Sequence, residues 1–417
     1  MKFEDYNIDK KLKKNIKELG FRRPTDIQYK AIPPILKGED LLAIAQTGTG
    51  KTAAFAIPIV EKLIRSGKKP NGIDVIRALV LVPTRELAEQ INDVFEKFTL
   101  NTSLRTFSLI GGMGQEDQIV RLQKGVDILI STPGRLFDLN HQKKLKLDKV
   151  AILVLDEADH MLDLGFLRDI KDLMRLLPRK RQTLFFSATI DSKIKKLAYS
   201  LVINPIRIHI SPKDPVSRNI EHAVVFVEMD DKRFFLERVI KNNPESKFLV
   251  FVRTKVRAER VKKAMERVGV HSETIHSDKM QETRLKTMKD FKLGHTKVLV
   301  ATDVSARGID IPNVDYVVNY DMPEQTENYV HRVGRTGRGV KKGLAFSFCS
   351  RDEKTILSEI ESFIGNKIAE YNLDKHDYAQ IVKASDEVHA DWKTLLSKLE
   401  EEEMSMGKLK KKRNRKK

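Results

Sequence analysis

Two successive trains of short aliphatic runs, with a helical segment between each run and the next, constrain this chain more than any other feature of its sequence. Runs at 41–45, 78–82, 127–130, 152–155 and 183–186 are rich in Val, Ile and Leu, and helix-period segments such as 86–97 fill the gaps. A strand that is apolar along its whole length is buried on both faces, as in a parallel sheet covered by helices. The alternation predicts an α/β fold built on a doubly wound parallel sheet. It pauses at the polar, Pro-containing stretch 211–219, read as a linker, and restarts with runs at 223–227, 248–252, 298–301, 316–319 and 345–348. The expected organisation is a first domain at 1–210, a linker at 211–219, a second domain at 220–365, and a polar helical extension with a basic tail at 366–417. Trp392, the only tryptophan, is expected to pack against the second domain.

A length of 417 residues suits two such domains. Lys and Arg number 77 against 58 Asp and Glu, a formal net charge of +19. Eight of the last ten residues are Lys or Arg, so the tail accounts for part of this excess and about +11 stays with the rest. The tail reads as a phosphate-binding arm without sequence preference. A basic body points to a polyanionic partner, nucleic acid ahead of a membrane surface. No apolar run approaches the length of a membrane span, and the first residues lack the apolar core of a secretory leader. The single cysteine, Cys349, excludes an internal disulfide and a Cys-based zinc site. A reducing, cytoplasmic location is expected.

Ala45, Gln46, Thr47, Gly48, Thr49, Gly50, Lys51 and Thr52 join an aliphatic run to a helical segment. That is the setting of a phosphate-binding loop, whose backbone N–H groups and helix start hold phosphate oxygens. Lys51 would reach the β- and γ-phosphates and Thr52 would ligate Mg²⁺. The run at 152–155 ends in Asp156, Glu157, Ala158 and Asp159. Asp156, at the carboxyl end of a buried strand, is the second candidate Mg²⁺ ligand, and Glu157 the candidate group that polarises an attacking water. Water as nucleophile implies hydrolysis.

With these residues in place the sequence resembles the DEAD-box RNA helicases of superfamily 2. The resemblance covers about 1–365 and rests on motifs that occur in the family's order. Phe3 stands upstream of 20–28 (GFRRPTDIQ), which resembles the adenine-reading Q motif. The loop AQTGTGKT follows, then Pro83-Thr84-Arg85-Glu86-Leu87-Ala88, Gly111-Gly112 and Thr132-Pro133-Gly134-Arg135. Next come Asp156 to Asp159, Ser187-Ala188-Thr189, and in the second half 250–254, 281–284, ATDVSARGID at 301–310 and HRVGRTGR at 331–338. DEADHMLDLGF at 156–166 is similar to bacterial RhlE-type members.

The resemblance implies two tandem RecA-like domains facing across a cleft, with ATP and Mg²⁺ as nucleotide and metal and RNA as partner. It implies that Phe21, Arg23 and Gln28 belong to the adenine site. Phe21 can stack on the base, and the Gln28 amide offers the donor and acceptor that match adenine's N6 and N7. Asp310 resembles the ribose-binding acid. Arg335 and Arg338, three apart and expected to share a helical face, resemble arginine fingers directed at the γ-phosphate. His331, Asp159, Asp303, Ser187, Ala188 and Thr189 resemble the residues that couple the nucleotide to the RNA. Pro83, Thr84, Arg85, Gly111, Gly112, Thr132, Pro133, Gly134, Arg135, Arg253, Arg284 and Thr302 are the candidate RNA contacts. Contacts made mostly to phosphates carry little sequence information and weaken with salt.

The expected function is ATP-dependent local separation of RNA duplexes by a monomer with little sequence preference. The same motifs also suit an ATP-gated RNA clamp or assembly scaffold with little unwinding. A DNA-directed ATPase is a third reading, disfavoured by the Q motif and the spelling of residues 156–159.

Overall fold

The computed structural model describes residues 2–46, 48–67, 75–210, 216, 219–303, 314–337, 342–371, 374 and 376–382. Thr47, Asp310, Arg338, Trp392, the basic tail and most of the predicted linker lie outside the described residues.

Each aliphatic run folds as a strand because both of its faces find a covering layer. The first sheet contains β1 (Leu41–Ala45), β2 (Ala78–Leu81), β3 (Thr106–Leu109), β4 (Ile128–Ser131), β5 (Ile152–Leu155), β6 (Gln182–Ser187) and β7 (Ile206–Ile210). Its order is β3-β4-β2-β5-β6-β1-β7, with every pair parallel. The second contains β8 (Ile220–Phe226), β9 (Phe248–Phe251), β10 (Glu273–Ile275), β11 (Val298–Ala301), β12 (Tyr316–Asn319), β13 (Gly343–Cys349) and β14 (Ala369–Glu370). Its order is β10-β11-β9-β12-β13-β8-β14, again parallel. The period of two is visible in the cores. Leu41, Ala43 and Ala45 of β1 enter one apolar cluster, while Leu42 and Ile44 enter the cluster on the other face. In β9, Phe248 and Val250 face one side, Leu249 and Phe251 the other.

Parallel pairing puts the carboxyl ends of all strands in a sheet at one end, where ligands of doubly wound sheets bind. The motif loops follow β1, β2, β3, β4, β5 and β6 in the first sheet and β9, β10, β11 and β12 in the second. Several of these loops turn directly into capped helices. Thr84 Oγ1 accepts from Leu87 N at 3.3 Å to start Arg85–Thr99, and Thr254 Oγ1 accepts from Arg257 N at 3.2 Å to start Lys255–Arg267. Pro133 occupies the first position of Pro133–His141.

Four strands depart from the sequence expectation: β3, β7, β10 and β14 are absent from the aliphatic runs. After helix Lys354–Ile364 the chain forms β14 where a helical extension was expected, and then a helical turn at 376–382.

The second half is pinned by a buried ion pair. Lys232 Nζ, with no exposed surface, donates to Glu353 Oε2 at 2.5 Å. Glu353 also accepts from Ser350 N at 3.0 Å, Met322 N at 3.1 Å and Arg253 Nη2 at 3.3 Å. Removing one partner strands the other charge, whereas removing both costs far less. Glu353→Ala is expected to lower unfolding free energy by about 3–5 kcal/mol in urea denaturation, and Lys232→Met added to Glu353→Leu to recover most of it. A loss under about 1 kcal/mol for Glu353→Ala would contradict the pair's assigned role.

Candidate functional site

The loop after β1 leads into the helix Lys51–Arg65, whose first turn carries no acidic side chain. Gly48 and Gly50 adopt φ +82° and +95°, the left-handed region open to glycine. Gly50 has a second reason to lack a Cβ, because the Gln28 amide closes over it. Gln28 Nε2 donates to Gly50 O at 3.1 Å, and Gln28 Oε1 accepts from Thr25 N at 2.9 Å. A primary amide has two N–H donors and two lone pairs, so one of each stays available to an adenine edge. The Q-motif glutamine therefore ties the phosphate loop to the base site, a link that residue identity alone did not disclose.

Lys51 Nζ is buried with no hydrogen-bond partner. An orphaned ammonium at a helix start, beneath a glycine loop, is a site prepared for an anion. Beside it are Asp156 and Glu157, at the end of β5. Burial raises the Asp156 carboxyl to about 6, with Lys51 pulling it down and Glu157 pushing it up. For Glu157 burial also raises, but a hydrogen bond from His160 and the charges of Lys51 and Arg335 outweigh it, and the group falls to about 2. His160 Nδ1 stands 3.6 Å from Glu157 Oε2. Glu157 holds φ +53°, uncommon for a residue with a side chain and a recurrent form of strain at functional sites.

These groups line one cleft of about 440 Å³. Phe21, Gln28, Gly48, Gly50, Lys51 and Thr52 come from the first half together with Asp156 and Glu157, while Arg335 and Lys292 come from the second. Arg23 is exposed and outside this lining. Thr49 Oγ1 donates to Gln46 O at 2.8 Å, closing the loop internally. The Thr52 hydroxyl and the Asp156 carboxylate are hard oxygen donors of the kind magnesium takes.

Arg335 is not on a helix, contrary to the sequence expectation. The helix Thr326–Val333 ends at Gly334. Thr336 then hydrogen-bonds through Oγ1 to Val314 O at 2.6 Å, pulling the chain out of the helical path. Arg335 is buried, and its Nε donates to His331 O at 3.1 Å.

The candidate coupling residues form two separate anchors. Asp159 Oδ2 accepts from Ala188 N at 3.0 Å, Thr189 N at 3.1 Å and Thr189 Oγ1 at 3.3 Å, joining the ends of β5 and β6; Ser187 closes β6, fully buried. Asp303 receives both arms of Arg332, at 2.6 and 2.7 Å, a bidentate pair within the second half. Arg332 is a residue to which the sequence reading gave no role.

Glu86 was also passed over, and it is where the halves meet. Its Oε1 accepts from Arg284 Nη2 at 2.9 Å and from Gln281 Nε2 at 3.0 Å, both from the second half. Arg85 Nη1 donates to Gln281 Oε1 at 3.4 Å. Gly112, at φ +77°, lies against this junction, and a Cβ there would collide with the Arg85 guanidinium and approach Gln281 Cβ to 3.1 Å. Of the candidate RNA-binding arginines, Arg284 is thus turned to Glu86, and Arg253 to Glu353 at 3.3 Å and Glu324 at 3.5 Å. Arg135 reaches Met113 O at 3.4 Å, and its Nε has no partner. Gly111, Pro83, Thr84, Thr132, Pro133, Gly134 and Thr302 fall on the loops at the strands' carboxyl ends or the helix starts that follow.

Gly112→Ala should therefore obstruct the approach of the halves. The expected outcome is at least a tenfold fall in RNA-stimulated ATP turnover, with nucleotide affinity in the absence of RNA little changed. Unaltered stimulation would contradict the close approach.

The comparisons agree with this geometry. Residues 25–197 match the DEAD/DEAH box helicase model and residues 231–340 the helicase conserved C-terminal domain. The chain is 41% identical over 360 residues to ATP-dependent RNA helicase CshA of Listeria monocytogenes, covering 86% of this chain and 68% of that one. It is 39% identical over 383 residues to DEAD-box ATP-dependent RNA helicase RhpA of Helicobacter pylori, covering 91% and 76%. Among solved structures, S. cerevisiae Dbp5 bound to RNA and ADP BeF3 superposes with a TM-score of 0.80 at 30% identity, over 93% of this chain and 99% of that one. Mss116 bound to ssRNA and UDP-BeF gives 0.80 at 30% identity, over 92% and 82%. No helix among the described residues is long and apolar enough to cross a membrane. A nucleotide cleft built from both halves, motifs in order and relatives of this identity and coverage lead to one conclusion: the chain belongs to the DEAD-box ATP-dependent RNA helicases, enzymes that hydrolyse ATP.

Proposed function

We propose that this helicase grips RNA through its phosphates with little sequence preference and locally separates short duplexes as a monomer, the two halves closing when ATP and RNA are both bound. The observation that carries this reading is the composition of the cleft: a phosphate loop and two carboxylates from one half, Arg335 and Lys292 from the other. Such a site is complete only when the halves are together, so a ligand bound there stabilises closure.

In this reading Phe21 and Gln28 hold adenine, Lys51 neutralises phosphate charge, and Glu157 orients the attacking water. Thr52 and Asp156 would hold the magnesium ion, which supplies charge neutralisation at the phosphates. Arg335 stabilises negative charge that develops on the transferred phosphoryl group. Asp159 conveys the state of the nucleotide to Ala188 and Thr189. Arg85, Arg135 and Arg253, with the backbone at Gly111, Gly112 and Gly134, meet RNA phosphates, while Arg284 serves closure through Glu86. The domain division at 211–219 is supported by the change of sheet between β7 and β8, and residues 156–166 support an RhlE-like placement within the family.

Saturating RNA is expected to raise ATP turnover at least tenfold, read by phosphate release, and an unchanged rate would overturn the coupled clamp. Glu157→Gln should retain nucleotide and RNA while slowing hydrolysis by about 10²–10⁴. Turnover surviving in that variant would remove Glu157 from the water-orienting role. A short-duplex displacement assay separates the two modes. Displacement supports the helicase reading, and ATP-dependent RNA retention without displacement supports the clamp or scaffold.

A further inference from the structure

A line of polar side chains crosses the core of the second half behind Arg332. Asn319 of β12, Ser347 of β13 and His222 of β8 sit on neighbouring strands, in the order β12-β13-β8. The register sets Asn319 opposite Ser347 and His222 opposite Ala345. The three share the parity of Val317, Ala345, Ile220 and Val224, so they face the apolar cluster that also holds Tyr329 and Val333 of the helix Thr326–Val333. Asn319, Ser347 and Tyr329 have no exposed surface, and His222 is half-buried. Polar groups so placed are retained where each finds a hydrogen-bond partner.

The line has a direction, because its first member can only donate. Arg332 Nη1 donates to Asn319 Oδ1 at 3.2 Å. That fixes the amide, whose Nδ2 donates to Ser347 Oγ at 2.9 Å. The Ser347 hydroxyl hydrogen-bonds the Tyr329 phenol, and the phenol oxygen lies 2.8 Å from His222 Nδ1. With the Ser347 hydrogen directed at the phenol oxygen, the phenol donates to His222 Nδ1, and the imidazole is neutral with its proton on Nε2. Burial favours these forms, since it raises the Tyr329 phenol and lowers His222. Reversing the order would turn an amide NH₂ toward the Arg332 guanidinium, so the two ends of the line fix each other.

The helix that carries Tyr329 leads directly to the nucleotide cleft. Tyr329 and Arg332 are three apart and share a helical face. Arg332 reaches Asp303 with both arms and Asp321 O at 2.7 Å. Arg335 N donates to Arg332 O at 3.1 Å, so the turn that brings Arg335 to the cleft starts from this residue. Hydrogen bonds at Tyr329, one turn earlier, oppose rotation of the helix about its axis. A rotation of about 10° moves a group about 6 Å from the axis by about 1 Å, and a misplacement of that size can cost about 10²-fold in rate. We propose that Tyr329 is a positioning residue for ATP hydrolysis: tied through Ser347 and Asn319 to Arg332 and seated on His222, it holds the helix so that Arg332 meets Asp303 and Arg335 enters the nucleotide cleft. This rests on the reading of Arg335 above.

The test uses full-length protein at saturating RNA and reads kcat and KM for ATP by phosphate release, with thermal unfolding of every variant alongside. Tyr329→Phe keeps the ring and removes the hydroxyl that bridges Ser347 and His222. It should lower kcat about tenfold and leave KM within about twofold of native. Ser347→Ala breaks the line one member earlier and should act in the same way. His222→Leu, which has no acceptor, should also lower kcat, whereas His222→Asn, whose amide oxygen can take the place of Nδ1, should restore most of it. A lowered melting temperature with native kcat in both Tyr329→Phe and Ser347→Ala would make the line a stabilising feature alone and overturn the positioning role. Equal losses of kcat from His222→Leu and His222→Asn would also overturn it. Arg335→Ala is measured beside them. A native kcat in Arg335→Ala would overturn the reading of Arg335 and this proposal with it, whatever Tyr329→Phe shows. A reduced kcat in Arg335→Ala beside a native one in Tyr329→Phe would overturn the positioning role alone.

Discussion

The Glu86 carboxylate joins the two halves, and the arrangement of the site depends on that junction. A buried carboxylate needs donors or it carries a cost of several kcal/mol. Glu86 finds its donors in Arg284 and Gln281, on the far side of the cleft. The first half alone leaves this acid without them. Once the halves meet here, Arg335 and Lys292 enter the lining of the nucleotide cleft, and Gly112 allows Arg85 and Gln281 to come together. Glu86 pairing, glycine contact and cleft lining are thus three aspects of one closed geometry.

Within the cleft, two adjacent carboxylates are driven apart by their surroundings. Burial dominates at Asp156 and holds its proton up to about 6, whereas at Glu157 burial is outweighed by His160, Lys51 and Arg335. Separated proton affinities in neighbouring acids accompany separated roles. Asp156 is an acid that a divalent cation would relieve of its proton, which suits a metal ligand. Glu157 stays ionised and is suited to accept a hydrogen bond from water and aim it.

The sequence disclosed the interior of the fold and missed its edges, for a physical reason. All ten strands read from aliphatic runs lie inside the two sheets, with a strand on either side, and most of them are buried along their whole length. The four strands that escaped, β3, β7, β10 and β14, are the four sheet edges. Their sequences TFSL, IRIHI, ETI and AE mix polar residues with apolar ones because an edge strand is covered less completely. The site divides in a similar way. Lys51, Asp156, Glu157 and Gln28 were legible because their chemistry depends on local spacing and on a family pattern. Glu86, Arg332 and the contact made by Gly112 were not, because each depends on a partner far along the chain or in the other half.

The central claim is that nucleotide and RNA favour the same closed arrangement, and reciprocal binding tests it most directly. The affinity for a non-hydrolysable ATP analogue is measured with and without saturating RNA, and RNA affinity with and without saturating analogue. The account predicts that both rise by one common factor, about 5- to 150-fold, as linkage requires of two ligands that select one state. Affinities that ignore each other would contradict it.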